Sequence, residues 1–178
     1  MGYRLFHQEH RGLISEALVI AEEMTSDFFK LSSSHWLRAR YDILTLEGLK
    51  GEEITSDALA VVAKYHGRPA GKSLLSSSFD FYRVCLQDHN ILHLSEKCQD
   101  VSLLSLLSYI LTHELVHIVR FSQFAAGFQV SAAERAREEA RVDTLTRQIL
   151  APLDFLALPP GLAISEQFSL GGWGHAHL

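Results

Sequence analysis

The chain has 178 residues, enough for one domain with its own core and too few for two of ordinary size. With 47% hydrophobic and 21% charged residues it has a globular composition, which excludes disordered and fibrous classes. A formal charge of -5 leaves no basic surplus to offset a phosphate backbone, so the chain is not expected to bind nucleic acid.

The opening MGYRLFHQEHRG has no apolar run of signal-peptide length, and Phe6 stands where a myristoylation signal places Ser or Thr. The two cysteines, Cys85 and Cys98, lie in no metal-binding spacing and are expected to be incidental thiols in a reducing compartment. The expectation is a cytoplasmic protein without a membrane anchor.

From Gly12 to about Lys30, Leu13, Ile14, Ala17, Leu18, Ala21 and Met24 recur at three and four residues, which predicts an amphipathic helix. Trp36, Leu37, Tyr41 and Leu44 predict a second helix ending near Gly48, and Thr55 or Ser56 would cap a third running to His66. Residues 1–70 are therefore expected to be helical.

GRPAG (Gly67 to Gly71) is a turn by composition, and strands are predicted at Phe79 to Leu86 and Ile91 to Ser95. QDHN (Gln87 to Asn90) between them would make the pair an antiparallel hairpin. Asp100 would then cap a long helix through Phe121, apolar on nearly every face. Its most apolar run, Leu103 to Leu111, is about half the length needed to cross a bilayer and reads as buried.

Ser131 and Glu134 match a capping box for a helix from Ala132 to about Leu150, which Pro152 ends. Residues 153–178, with PPG and GGWGHAHL, read as an irregular tail, and no repeat is present.

Chemistry concentrates in Thr112-His113-Glu114-Leu115-Val116-His117, an HExxH inside the long apolar helix. His113 and His117 lie one turn apart on one face, so both imidazoles can reach one tetrahedral metal ion. Glu114 is displaced around the helix, beside such an ion without binding it, where a carboxylate can act as general base toward an attacking water. A buried helix carrying these three side chains without a metal would have to satisfy them otherwise, at roughly 1–3 kcal/mol for each group left unpaired.

A catalytic zinc site takes a third protein ligand. The metzincin extension HExxHxxGxxH is excluded, because Arg120 stands at its glycine and Gln123 at its third histidine. The next helix offers REEARVD (Arg137 to Asp143) with Glu138, Glu139 and Asp143. In isolation this charged stretch would read as a solvated helix face.

HExxH followed on the next helix by ExxxD resembles the gluzincin branch of zinc peptidases, over about residues 79–150. The resemblance implies an α+β, zincin-like fold, mostly helical with a small antiparallel sheet beside the motif helix, in a single domain spanning residues 1–178. It implies zinc (Zn2+) held by His113, His117 and Glu139, with Glu114 as general base and Asp143 accepting a hydrogen bond from a ligand histidine, His113 by preference. Glu138 competes as third ligand, but Val142 lies four residues on and cannot play the part of Asp143. The resemblance also implies a peptide or protein substrate that pairs with a strand before the motif helix, a place taken by NILHLS (Asn90 to Ser95).

His89 and His93 are expected to be ordinary surface or core histidines. Arg141, Tyr109, His175 and His177 are candidates to stabilise an oxyanion, and His175 and His177 could alternatively fold over the metal. Two functions compete: a metallopeptidase, and a non-catalytic module that keeps the zincin fold and its metal. A nucleic-acid reader built on three N-terminal helices is a weaker third, opposed by the acidic charge.

Overall fold

The computed structural model describes residues 3–67 and 79–156 and the backbone of 169–175. Among the described residues it has an α+β architecture of five α-helices and a small mixed sheet. Helix α1 (Gln8–Phe29) buries Ile14, Ala17, Ala21 and Thr25. Leu13, Leu18 and Met24 pack beside them, so the apolar period predicts the face that meets the core.

The second predicted helix is only one turn, α2 (His35–Arg38), and the chain then extends into strand β1 (Arg40–Leu44). The third is strand β2 (Ala58–Gly67), and β3 (Phe79–Leu86) is its antiparallel partner, with Val62 opposite Val84. ALAVVAKYH is apolar without a clear period, and tertiary pairing decides such a run. The three-helix N-terminal element is thus replaced by one long helix, one short helix and two strands.

NILHLS is likewise not a strand. It lies in helix α3 (Asp88–Lys97), which buries Ile91, Leu92 and Leu94 and leaves His93 exposed. No Phe79–Ser95 hairpin forms, and no substrate-pairing strand stands there. The polar QDHN link instead anchors neighbours. The Gln87 amide donates to the Glu53 carbonyl at 2.8 Å, the Asn90 amide donates to the Ala58 carbonyl at 2.6 Å, and buried Asp88 accepts from the Phe6 and Leu46 backbone N–H groups at 2.9 Å each.

Helix α4 (Leu103–Ser122) is capped by Ser102, whose hydroxyl accepts from the Ser105 N–H at 3.0 Å, two residues beyond the expected Asp100. It is buried from Ser105 to Phe121, packed against α1 and the sheet on one side and against helix α5 (Ala132–Leu150) on the other. By length and composition α4 could cross a membrane, but 83% of its apolar window is inside the fold. Helix α5 begins with the predicted capping box, the Ser131 N–H donating to Glu134 Oε2 at 3.0 Å.

The sheet order is β1-β3-β2-β4, where β4 (Ser169–His175) pairs parallel to β2 and β1 pairs parallel to β3. The sheet is therefore mixed, not antiparallel, and part of the expected irregular tail is a strand. On the α4 side it contributes Val62, Tyr82 and Val84 to the main core.

Candidate metal centre

Helices α4 and α5 face each other along a row of polar side chains. On α4, Tyr109, His113, His117 and Phe121 recur every four residues and share one face. On α5, Glu139, Asp143 and Arg147 do the same. The two rows meet in order.

At the centre, His113 Nε2 lies 3.1 Å from Glu139 Oε2 and 3.2 Å from His117 Nε2. His117 Nε2 lies 3.5 Å from Glu139 Oε1. Three donor atoms at about 2.0–2.1 Å from a tetrahedral metal stand about 3.3 Å from one another. The triangle already present has that size, and these three residues can hold a metal ion.

Electrostatics match such a role. Burial would raise the Glu139 carboxyl, but its hydrogen bonds to the His113 and His117 rings, and the pull of those rings when protonated, outweigh it and hold it at about 2. Burial lowers the His117 pKa despite Glu139, favouring the neutral imidazole that metal ligation needs.

Glu114 is wholly buried, and neither carboxylate oxygen has a hydrogen-bond partner among the described residues. Burial first, and the nearby Glu139 charge second, push its pKa well above the usual carboxylate range. A buried carboxyl with nothing to bind, next to two convergent imidazoles, is costly unless something else enters the site.

Arg120 separates the two neighbouring glutamates, Glu138 and Glu139. Its Nε and Nη2 bind the two Glu138 carboxylate oxygens, the second at 2.9 Å, and its Nη2 also donates to the Ala125 carbonyl at 3.3 Å. Glu138 is occupied there, and Glu139 is left facing the histidines. In the sequence Arg120 stands out only as a missing glycine, although an arginine one turn past HExxH and two adjacent glutamates on the next helix are a signal for this pair.

Asp143 does not accept from His113. One of its oxygens takes the Tyr109 hydroxyl and the other takes Arg147 Nε at 3.1 Å, while His113 Nδ1 is buried with no hydrogen-bond partner among the described residues. The reason is reach: Tyr109 stands one turn before His113 and meets Asp143 first. The Arg147 guanidinium carbon also lies 5.4 Å from the Tyr109 ring centroid. The Tyr109 hydroxyl, engaged with Asp143 and 1% exposed, is not free to meet an oxyanion.

Arg141 is exposed on α5. The His89 ring packs against that of Tyr3, with centroids 4.6 Å apart and planes tilted by 41°, and the side chains of His175 and His177 lie outside the described residues. Sequence reading also missed Phe121, whose ring lies nearly parallel to that of His117 at 5.7 Å and to that of Tyr82 at 6.4 Å.

Compared with protein-family models, curated proteins and solved structures, the chain matches none.

Proposed function

We propose that this chain is a zinc-dependent metallopeptidase of gluzincin type, with His113, His117 and Glu139 as metal ligands and Glu114 as general base. The observation that carries the reading is the triangle of 3.1, 3.2 and 3.5 Å between His113 Nε2, His117 Nε2 and the Glu139 oxygens, beside an unpartnered Glu114. Two imidazoles and one carboxylate are a donor set that suits zinc.

Zinc supplies Lewis-acid polarisation of a carbonyl and acidifies water. Glu114 takes the proton from the attacking water as its oxygen adds to the scissile carbonyl carbon, then returns the proton to the amide nitrogen as the C–N bond breaks. Burial raises the pKa of Glu114, which makes its carboxylate a stronger base toward that proton. His113, His117 and Glu139 stay fixed, braced by α5.

The substrate is a peptide or protein, consistent with the net charge of -5, which does not suit nucleic acid. A cytoplasmic setting is supported by Cys85 and Cys98, both free thiols.

Elemental analysis of protein purified without added metal tests the site: about one zinc per chain is expected, lost in His117→Ala and in Glu139→Ala. Hydrolysis of an unfolded protein substrate by wild type and its loss in Glu114→Gln tests the activity. No zinc after reconstitution would sink the reading.

One observation favours a non-catalytic, metal-holding module. Glu114 and His113 are 0% exposed and His117 is 1% exposed, so only the Glu139 side chain, at 22%, meets solvent. Zinc binding without any peptide hydrolysis would decide for it.

A further inference from the structure

A cleft of about 370 Å³ opens at the end of α4, one helical turn beyond His117. Its walls include His35 and Arg38 of α2, Asp80 and Tyr82 of β3, and Phe121 and Phe124. Phe121 joins it to the metal centre, because its ring lies against His117 at 5.7 Å while it lines the cleft.

Three features mark the cleft as built for a ligand. His35 is 9% exposed, and its Nε2 is buried with no hydrogen-bond partner among the described residues. Arg38 is exposed and makes no ion pair among the described residues. Phe124, at φ 55 in the left-handed region, is 94% exposed at the rim, which is a costly way to leave an aromatic ring unless it covers something.

The charge of the cleft favours an anion. Its single described acid, Asp80, is already paired with the Lys64 ammonium at 2.9 Å and stands 2.8 Å from His66 Nδ1. Arg38 is the charge left over. A planar guanidinium binds a carboxylate through two parallel hydrogen bonds, and the Tyr82, Phe121 and Phe124 rings offer apolar surface next to it.

We propose that this cleft is the subsite that holds a carboxylate-bearing residue of the substrate peptide, with Arg38 taking the carboxylate, His35 Nε2 assisting, and the three aromatic rings taking the apolar part. The carboxylate is either the peptide's C-terminus or an acidic side chain. His117 and Phe121 are separated by four residues, about 6 Å of helix, and an extended residue spans about 3.3–3.6 Å. The residue held here is thus one or two positions from the bond at the metal. This subsite rests on the peptidase reading.

The test is titration calorimetry on the Glu114→Gln protein loaded with zinc, using N-acetyl-Gly-Phe, its C-terminal amide, and N-acetyl-Gly-Glu-amide. The free acid is expected to bind about tenfold more tightly than the Phe amide, and Arg38→Gln to abolish that difference. Phe124→Gly, which also removes the left-handed strain, is expected to weaken acid and amide alike by about fivefold. Equal gains from the Glu side chain and the free C-terminus would show that the subsite takes either carboxylate; a gain from the Glu side chain alone would assign it to an acidic residue, and a gain from the free C-terminus alone to the chain end.

Equal affinity for acid and both amides, or a preference that survives Arg38→Gln, overturns the subsite. Wild-type enzyme that hydrolyses peptides without any carboxylate preference overturns the subsite alone. An Arg38-dependent preference in a protein that hydrolyses nothing overturns the peptidase reading and leaves the subsite standing.

Discussion

The guanidinium of Arg120 grips both carboxylate oxygens of Glu138 across the interface of α4 and α5, with side chains only 11% and 13% exposed. This pair sets the rotation of α5 about its own axis. Because Glu138 is turned toward Arg120, its neighbour Glu139 is turned toward His113 and His117.

Removing one member of a nearly buried ion pair leaves the other charge unmatched and costs about 3–5 kcal/mol. Arg120→Ala is therefore expected to lower unfolding free energy by about 3 kcal/mol in denaturant titration, and to weaken zinc binding as Glu138 competes with Glu139. Glu138→Gln should weaken zinc binding far less, since it keeps a hydrogen-bonding partner for Arg120. Unchanged stability and zinc affinity in Arg120→Ala would refute this bracing role.

Asp143 is bound to Tyr109 and Arg147 and not to His113, so it should behave as a brace. An acceptor that orients a ligand histidine usually matters 10- to 100-fold in metal affinity. Asp143→Asn is expected to cost about 1–2 kcal/mol of stability while changing zinc affinity less than about threefold. A tenfold or larger loss of zinc affinity at unchanged stability would restore the hydrogen bond to His113.

Acid unfolding of the metal-free protein should report on Glu139. Its folded carboxyl is held at about 2, below an unfolded value of 4.5, so its contribution is complete above pH 4.5 and disappears as pH falls toward 2. The full contribution is about 3 kcal/mol at most, reduced by the partial exposure of the side chain. Glu139→Gln should flatten the stability profile in that window, measured by denaturant midpoints between pH 5 and 2. Glu114, raised instead of lowered, has the opposite sign: its fold is favoured when protonated and loses stability as pH rises above 4.5. A Glu139→Gln profile parallel to wild type would show that the carboxylate is not paired with the histidines.

The helices that carry the site were legible because their signals are local. HExxH has a fixed spacing, Ser131 and Glu134 form a capping box, and apolar residues fill α4 on every side. Strands β1 and β2 were not legible, because Trp36, Leu37, Tyr41 and Leu44 around β1 also fit a helical period and the apolar run of β2 has no clear period, so only partners far away in the chain settle the choice. Tyr41 pairs with Tyr82, and Val61 with Cys85. Segment Asn90–Ser95 failed for the opposite reason: a short apolar run after a polar, turn-rich link reads as a strand, yet Ile91, Leu92 and Leu94 all reach the core from a short helix. The partner of Asp143 could not be read either, since Tyr109 and His113 lie on one face and only the crossing of the two helices decides which of them it meets.

The two halves of the molecule also differ in how far apart in the chain their contacts lie. His113 and Glu139 are separated by 26 residues, whereas Asp42 and Arg83, the ion pair that ties β1 to β3, are separated by 41, and β2 meets β4 with Ala58 opposite Ser169. Closing the helical pair costs less chain entropy than closing the sheet, so the ligand triangle can assemble while the strands are still searching for one another. An ion captured at that stage would act on folding as well as on chemistry, speeding acquisition of the native state by holding α4 and α5 in register before the sheet is complete.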